Sequence, residues 1–215
     1  MAPMTLYIGN YNYSSWSLRA WLVLAKAELP FDTEMVDLDI PGYKEKLLAI
    51  SDAGTVPALR VNDDIIADSL AISEFAAQCV PNLWPSNPKD KGKAQEVVHK
   101  MHEGFEAIRR EAPMNLRRRT SKPVPQDCLD DAAEIDQMWC ECLEKHDGPF
   151  LFGGWSIADA FYAPVATRFT SYDLPRSRRA DTYISELMSD PVFQEWEAMA
   201  FVEEHILPET DAVNR

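Results

Sequence analysis

Residues 13–19 read Tyr13-Ser14-Ser15-Trp16-Ser17-Leu18-Arg19 and gather three serine hydroxyls where a helical pattern begins, with Leu18, Trp21, Leu22, Ala25 and Leu29 falling on one face behind them. A helix entrance presents unpaired backbone N–H groups and a partial positive charge. Serines there can stabilise an anion, including a thiolate brought by a ligand. Capping of the helix by Ser14 or Ser15 is the plainer role that the same residues fill. Two further stretches carry chemistry of a complementary kind. Val56-Pro57 stands at the mouth of a strand-like run, where proline cannot donate to a ladder and where a cis bond costs only about 0.5–1 kcal/mol over the commoner trans form. A cis bond there would turn the Val56 backbone outward, free to pair with an extended ligand. Asp68-Ser69 then opens another helical pattern, with an acid and a hydroxyl at its entrance.

These three stretches need a scaffold, and the order of elements supplies one. Residues 5–8 alternate as a strand, 16–28 as a helix, 33–38 as a second strand and 43–50 as a short helix. A strand follows Pro57 through residue 61, residues 62–64 turn, residues 65–67 return, and a helix runs on from Ser69. The order is βαβαββα. Pro81, Pro85 and Pro88 flank Trp84 and mark a linker. Beyond it strand signals vanish, and residues 91–111, 127–146, 156–172, 180–188 and 191–204 all carry helical periodicity. The expected organisation is residues 1–80 as a mixed α/β domain, 81–89 as the linker and 90–215 as an all-helical domain.

Composition narrows the partners. The chain has 215 residues, 46% of them hydrophobic, and a formal charge of −14, which repels nucleic-acid backbones and anionic lipid at long range. No run approaches the ~20 apolar residues of a membrane span, and no signal-peptide pattern opens the sequence. The expectation is a soluble protein of the cytoplasm that binds neither nucleic acid nor membrane. Cys79, Cys128, Cys140 and Cys142 are scattered, and His99 and His102 share a helical face without a third ligand, so no metal is assigned.

Together the stretches resemble the cytosolic glutathione transferase superfamily across nearly the whole chain. The matching motifs are Ser14-Ser15 before the first helix, Thr55-Val56-Pro57 before the third strand, Asp68-Ser69 at the third helix, and Ser156-Ile157-Ala158-Asp159, which is similar to the family's capping box. The resemblance implies a thioredoxin-like domain followed by an all-α domain, glutathione as co-substrate, a small electrophile as second substrate, and a homodimer. Within the superfamily, residues 14–19 most resemble the serine–serine–cysteine motif of the zeta class, with Trp16 standing where that class has cysteine.

The resemblance assigns thiolate stabilisation to Ser14, with Ser15 second and Ser17 third. It assigns glutathione binding to Val56, Pro57, Asp68 and Ser69. Asp68 would pair with the γ-glutamyl ammonium, and the Ser69 hydroxyl with the adjoining carboxylate. Ordinary capping explains the same pair. Tyr13 and Trp16 flank the serines, and by position in such a fold Phe105, Met114, Tyr162 and Arg168 would line a pocket for an apolar electrophile, core packing being their other role. Arg109, Arg110 and Arg117 to Arg119 form a basic island that either attracts an acidic substrate or is simply solvated. Three functions fit: glutathione transfer to an electrophile, glutathione-dependent cis–trans isomerisation of maleylacetoacetate type, and non-catalytic binding of glutathione, a hydrophobic ligand or a protein partner.

Overall fold

The structure is a computed structural model, and it describes residues 3–213. Strand β1 (Met4–Ile8) lies in the interior of a four-stranded sheet of order β2-β1-β3-β4. It pairs in parallel with β2 (Asp32–Met35) and antiparallel with β3 (Ala58–Val61), which forms a hairpin with β4 (Asp64–Ala67). Almost every residue of β1 is buried because the strand is paired on both edges and covered by helices. The crossover from β1 to β2 is helix α1 (Ser15–Lys26), and α2 (Tyr43–Ile50) joins β2 to β3. Helix α3 (Ser69–Cys79) leaves β4 and packs on α1. This is a thioredoxin-like domain with the element order expected from periodicity.

A short 3-10 turn at Pro81–Leu83 leads to the helical domain: α4 (Pro88–Glu103), α5 (Glu106–Glu111), α6 (Gln126–Lys145), α7 (Ile157–Ser171), α8 (Arg178–Ser189), α9 (Pro191–Val202) and α10 (Pro208–Ala212). Helix α7 is buried along nearly its whole length and packs against α1, α4 and α8, so one helix joins the cores of the two domains. Its entrance is the capping box expected from Ser156 and Asp159, and both of its reciprocal bonds form.

The expected single helix over residues 91–111 is two helices. Gly104 ends α4, where an added Cβ would lie 2.9 Å from the Lys100 carbonyl oxygen, and Phe105 takes the left-handed region at φ 57°. Arg109 folds back from α5 and donates to the Met101 and Gly104 carbonyls, satisfying the end of α4 that the break exposes. The second strand is shorter than expected and ends at Met35. Helix α10 was not expected at all, since five residues cannot show a period.

Candidate active site

The end of β1 and the start of α1 set the first part of the site. Ser14 is the N-cap of α1, its Oγ accepting from the Ser17 amide at 3.4 Å. The Ser14 hydroxyl also lies 2.8 Å from the Ser17 hydroxyl, and Ser17 Oγ accepts the Gly9 N–H at 3.0 Å. Ser17 is fully buried. Gly9 allows the close approach, because a Cβ at that position would stand 3.2 Å from Ser14 Oγ and 2.8 Å from Leu38 Cδ1. Ser15, 7% exposed, makes no side-chain hydrogen bond among the described residues. The first turn of α1 carries no acidic residue, so nothing within it offsets the positive end of the helix.

The β3–β4 hairpin brings the second part alongside. Tyr7 pairs with Ala58 and Ala58 with Ala67, which sets Pro57 and Asp68 at the same sheet end as Gly9. The Asp68 amide donates to the Pro57 carbonyl at 3.3 Å. The Val56–Pro57 bond is cis. Val56 makes no backbone hydrogen bond among the described residues, so both its N–H and its C=O are open to an extended ligand. Asp68 caps α3 through Oδ1, which accepts from the amides of Leu70 at 2.7 Å and Ala71 at 3.2 Å. It does so with φ 85° and ψ 137°, an uncommon backbone for a residue with a side chain and one that recurs at ligand sites. Beside it the buried Ser69 Oγ has no partner. An orphaned hydroxyl at a helix entrance suits a ligand carboxylate.

Trp16 lies in the seam between the domains. The Arg19 guanidinium lies over its ring at 4.5 Å and that of Arg109 at 4.9 Å, while the His102 ring meets it edge-on at 5.2 Å. Arg19 is fully buried with no hydrogen bond to any guanidinium nitrogen, and Phe161 covers it at 4.9 Å. Burial, reinforced by the charges of Arg109 and Arg168, pushes the Arg19 pKa well down. Contact with two aromatic faces is the compensation this cation receives.

The third part flanks Tyr13. Its hydroxyl donates to Asp211 Oδ1 at 3.0 Å and accepts from Arg117 Nη2 at 3.3 Å. A cavity of about 380 Å³ opens here, lined by Tyr13, Asn115, Arg117, Arg118, Arg119, Ile206 and Asp211. Most of the basic island is thus neither loose nor paired with acids. Arg117 donates to the Glu203 and His205 carbonyls, Arg118 to those of Asp211 and Val213, and Arg119 to that of Leu116, while Arg110 is the exposed member and pairs with Glu111 and Asp127. The loop leading to Ser14 is held from the same side. Glu203 accepts from Asn10 Nδ2 at 2.9 Å and the Asn12 amide at 2.8 Å, and Asn12 Nδ2 donates to Asn115 Oδ1 at 2.9 Å.

Of the two roles expected for Phe105, Met114, Tyr162 and Arg168, pocket lining and core packing, the structure shows the packing. Phe105, Met114, Tyr162 and Arg168 are all buried in the helical domain, and the Tyr162 hydroxyl donates to the Val97 carbonyl at 2.9 Å. Arg168 is enclosed, its pKa lowered to about 9 by burial and the nearby Arg109 charge. All four are buried, whereas Tyr13 lines a cavity and Trp16 stays partly exposed. Glu203, Asn10 and Asn12 went unread in the sequence, and His102 was read there only as sharing a helical face with His99. Nothing in residue spacing links Asn10 to Glu203 across 193 positions. For Ser17, the three-residue step from Ser14 was the one available signal.

Comparison with known proteins bears on this geometry. The family model described as "Glutathione S-transferase, N-terminal domain" matches residues 13–79. A Caenorhabditis elegans protein named as a probable maleylacetoacetate isomerase is 37% identical over 176 residues, covering 78% of this chain and 80% of that one. The chloroplastic glutathione S-transferase L2 of Arabidopsis thaliana is 27% identical over 158 residues, 70% of this chain. The chain spans about half to two thirds of the length of the plant proteins it matches. Among solved structures, a glutathione transferase homologue from Burkholderia GL BGR1 with bound glutathione superposes with a TM-score of 0.71 at 20% identity, covering 94% of this chain and all of that one.

Proposed function

The chain belongs to the cytosolic glutathione transferase superfamily, and we propose that it is a glutathione S-transferase that stabilises the glutathione thiolate at the entrance of α1 and adds it to a small electrophile. The observation carrying this reading is the convergence of three separate stretches at one sheet end: the Ser14 cap, the open backbone of Val56 beside Pro57, and the Asp68-Ser69 entrance. Glutathione offers a thiol, an extended amide, and an ammonium with a neighbouring carboxylate. Each stretch supplies the matching group.

The magnitudes agree. A free thiol has a pKa near 8.5, and lowering it by about two requires roughly 2.7 kcal/mol of preference for the thiolate. A hydrogen bond to a charged acceptor contributes about 1.5–3 kcal/mol and a helix entrance about 0.3–1. In this reading Ser14 turns its proton from Ser17 to the thiolate, while Ser17 turns its own proton to Ser14 Oγ and keeps the Gly9 N–H. The thiol proton leaves to solvent, and the sulfur bonds to the electrophilic carbon as the leaving group departs with its electron pair. Ser15 is the second candidate, on the observation that its hydroxyl is uncommitted.

Residues 1–80 then hold glutathione, 81–89 link, and 90–215 supply most of the second-substrate site, which we place in the cavity beside Tyr13 and not among Phe105, Met114, Tyr162 and Arg168. The protein is proposed to act in the cytoplasm as a homodimer without a metal. Among the described residues no helix is long and apolar enough to cross a membrane. The test is glutathione conjugation of an aryl halide by the wild type, Ser14→Ala and Ser15→Ala. Loss of turnover and of thiolate absorbance in one variant assigns the serine, and turnover unchanged in both overturns the mechanism. The second reading, glutathione-dependent cis–trans isomerisation, is favoured by the 37% identical Caenorhabditis elegans relative, and a maleyl-type diketo acid distinguishes it.

A further inference from the structure

Asp68 has one oxygen committed and one free. Its Oδ1 caps α3, and its Oδ2 faces His102 Nε2 at 3.4 Å, across the seam from α4 of the other domain. The Asp68 side chain is 45% exposed and that of His102 20%, so the carboxylate stays open to a ligand while the imidazole is the more covered of the two. The ring is fixed on its other sides by the edge-on contact with Trp16 at 5.2 Å and by Phe161 at 6.2 Å. His102 Nδ1 is buried without a partner, so the tautomer that leaves no buried donor unmet carries its proton on Nε2, facing Asp68.

We propose that His102 is a positioning residue of the glutathione site, orienting the Asp68 carboxylate that receives the γ-glutamyl ammonium and tying it to Trp16 in the first turn of α1. The inference rests on the glutathione reading above. The neutral ring presents its Nε2–H toward Oδ2 without cancelling its charge. An imidazolium would be a counter-ion in its own right and would compete with the ligand's ammonium.

The groups facing the ring are Asp68 at the entrance of α3, Arg19 on α1, Arg109 on α5 and Glu103 on its own helix, and α7 contributes the unionised Phe161. Burial, with the two guanidiniums, holds His102 below the ordinary histidine value against the pull of Asp68 and Glu103. The neutral form therefore prevails at neutral pH and gives way on acidification.

The experiment measures binding of S-methylglutathione by calorimetry from about pH 7.5 to 5, since its thioether does not titrate in that window, whereas the thiol of glutathione, its pKa lowered in the site, would itself weaken binding on acidification. Wild type, His102→Gln and His102→Leu are compared, with kcat measured at the upper pH. Wild-type Kd is expected to rise roughly fivefold to tenfold on acidification. His102→Gln keeps a donor, so it should bind as wild type does at the upper pH and lose the acidic rise. His102→Leu should bind more weakly throughout, with kcat changed less than Kd. Superimposable Kd profiles for wild type and His102→Gln overturn the inference alone, and that comparison decides even where His102→Leu fails to fold. A wild type that binds neither S-methylglutathione nor glutathione overturns the glutathione reading and this inference with it.

Discussion

The hydroxyl of Ser14 lies 2.8 Å from that of Ser17, and Ser17 in turn holds the Gly9 amide at the end of β1. The proposed thiolate donor is thereby oriented by a buried serine one helical turn on. Ser17→Ala should leave the Gly9 N–H unmet at a cost of about 1–3 kcal/mol in stability, read from a urea midpoint. It should also lower kcat roughly tenfold by freeing the Ser14 rotor. Wild-type kcat in a folded Ser17→Ala protein would remove Ser17 from the mechanism.

Gly9 is held to glycine by space. Gly9→Ala puts a methyl 2.8 Å from Leu38 Cδ1 and 3.2 Å from Ser14 Oγ, and Leu38 has to yield before Ser14 does. The expected outcome is a loss of about 1–3 kcal/mol and a raised KM for glutathione. A stable variant with unchanged KM would show that the Leu38 side chain absorbs the methyl.

Glu203 holds the loop that carries Tyr13 and Ser14. Glu203→Gln retains one acceptor oxygen for two donors, the Asn10 side chain and the Asn12 amide, and should cost about 1–3 kcal/mol. Because the same loop borders the cavity at Tyr13, KM for the electrophile should change more than KM for glutathione. Equal changes in both would place the cavity outside the second-substrate site.

Asp159 gives the fold a pH dependence. Its carboxyl is fully buried and receives the Leu151 amide at 3.1 Å, the Ser156 amide at 2.8 Å, the Ser156 hydroxyl at 3.0 Å and the Tyr183 hydroxyl at 3.1 Å. Burial outweighs these donors and pushes its pKa up to about 6. A raised folded-state value means the native protein binds the proton more tightly than the unfolded chain does. The stability this contributes is complete below about pH 4, falls as pH climbs, and is gone above about pH 6, a change on the order of 3 kcal/mol. Urea midpoints compared from about pH 4 to 7 should show the wild type falling relative to Asp159→Asn as pH rises across that window. A constant difference between the two would show that Asp159 does not titrate there.

Local chemistry was legible in the sequence where it acts over a few residues. The cap at Ser14, the hairpin from Pro57 to Asp68 and the Ser156–Asp159 box follow from short-range propensity and period, and they appear in the structure as the sequence implied. The element order was legible for the same reason. Tertiary packing decided what surrounds the caps. The break at Gly104–Phe105 depends on Arg109 returning to the α4 carbonyls, a contact that no periodicity encodes. Phe105, Met114, Tyr162 and Arg168 were placed in a pocket by position along the chain, yet their side chains fill the helical core. His102 meets Trp16, and Phe161 covers Arg19, only because α1, α4 and α7 converge at the seam, and Glu203 reaches Asn10 from the far end of the chain. Helix entrances and turns are fixed by neighbours in sequence, whereas burial and long-range partners are fixed by which faces pack together, and that is settled only when the whole chain folds.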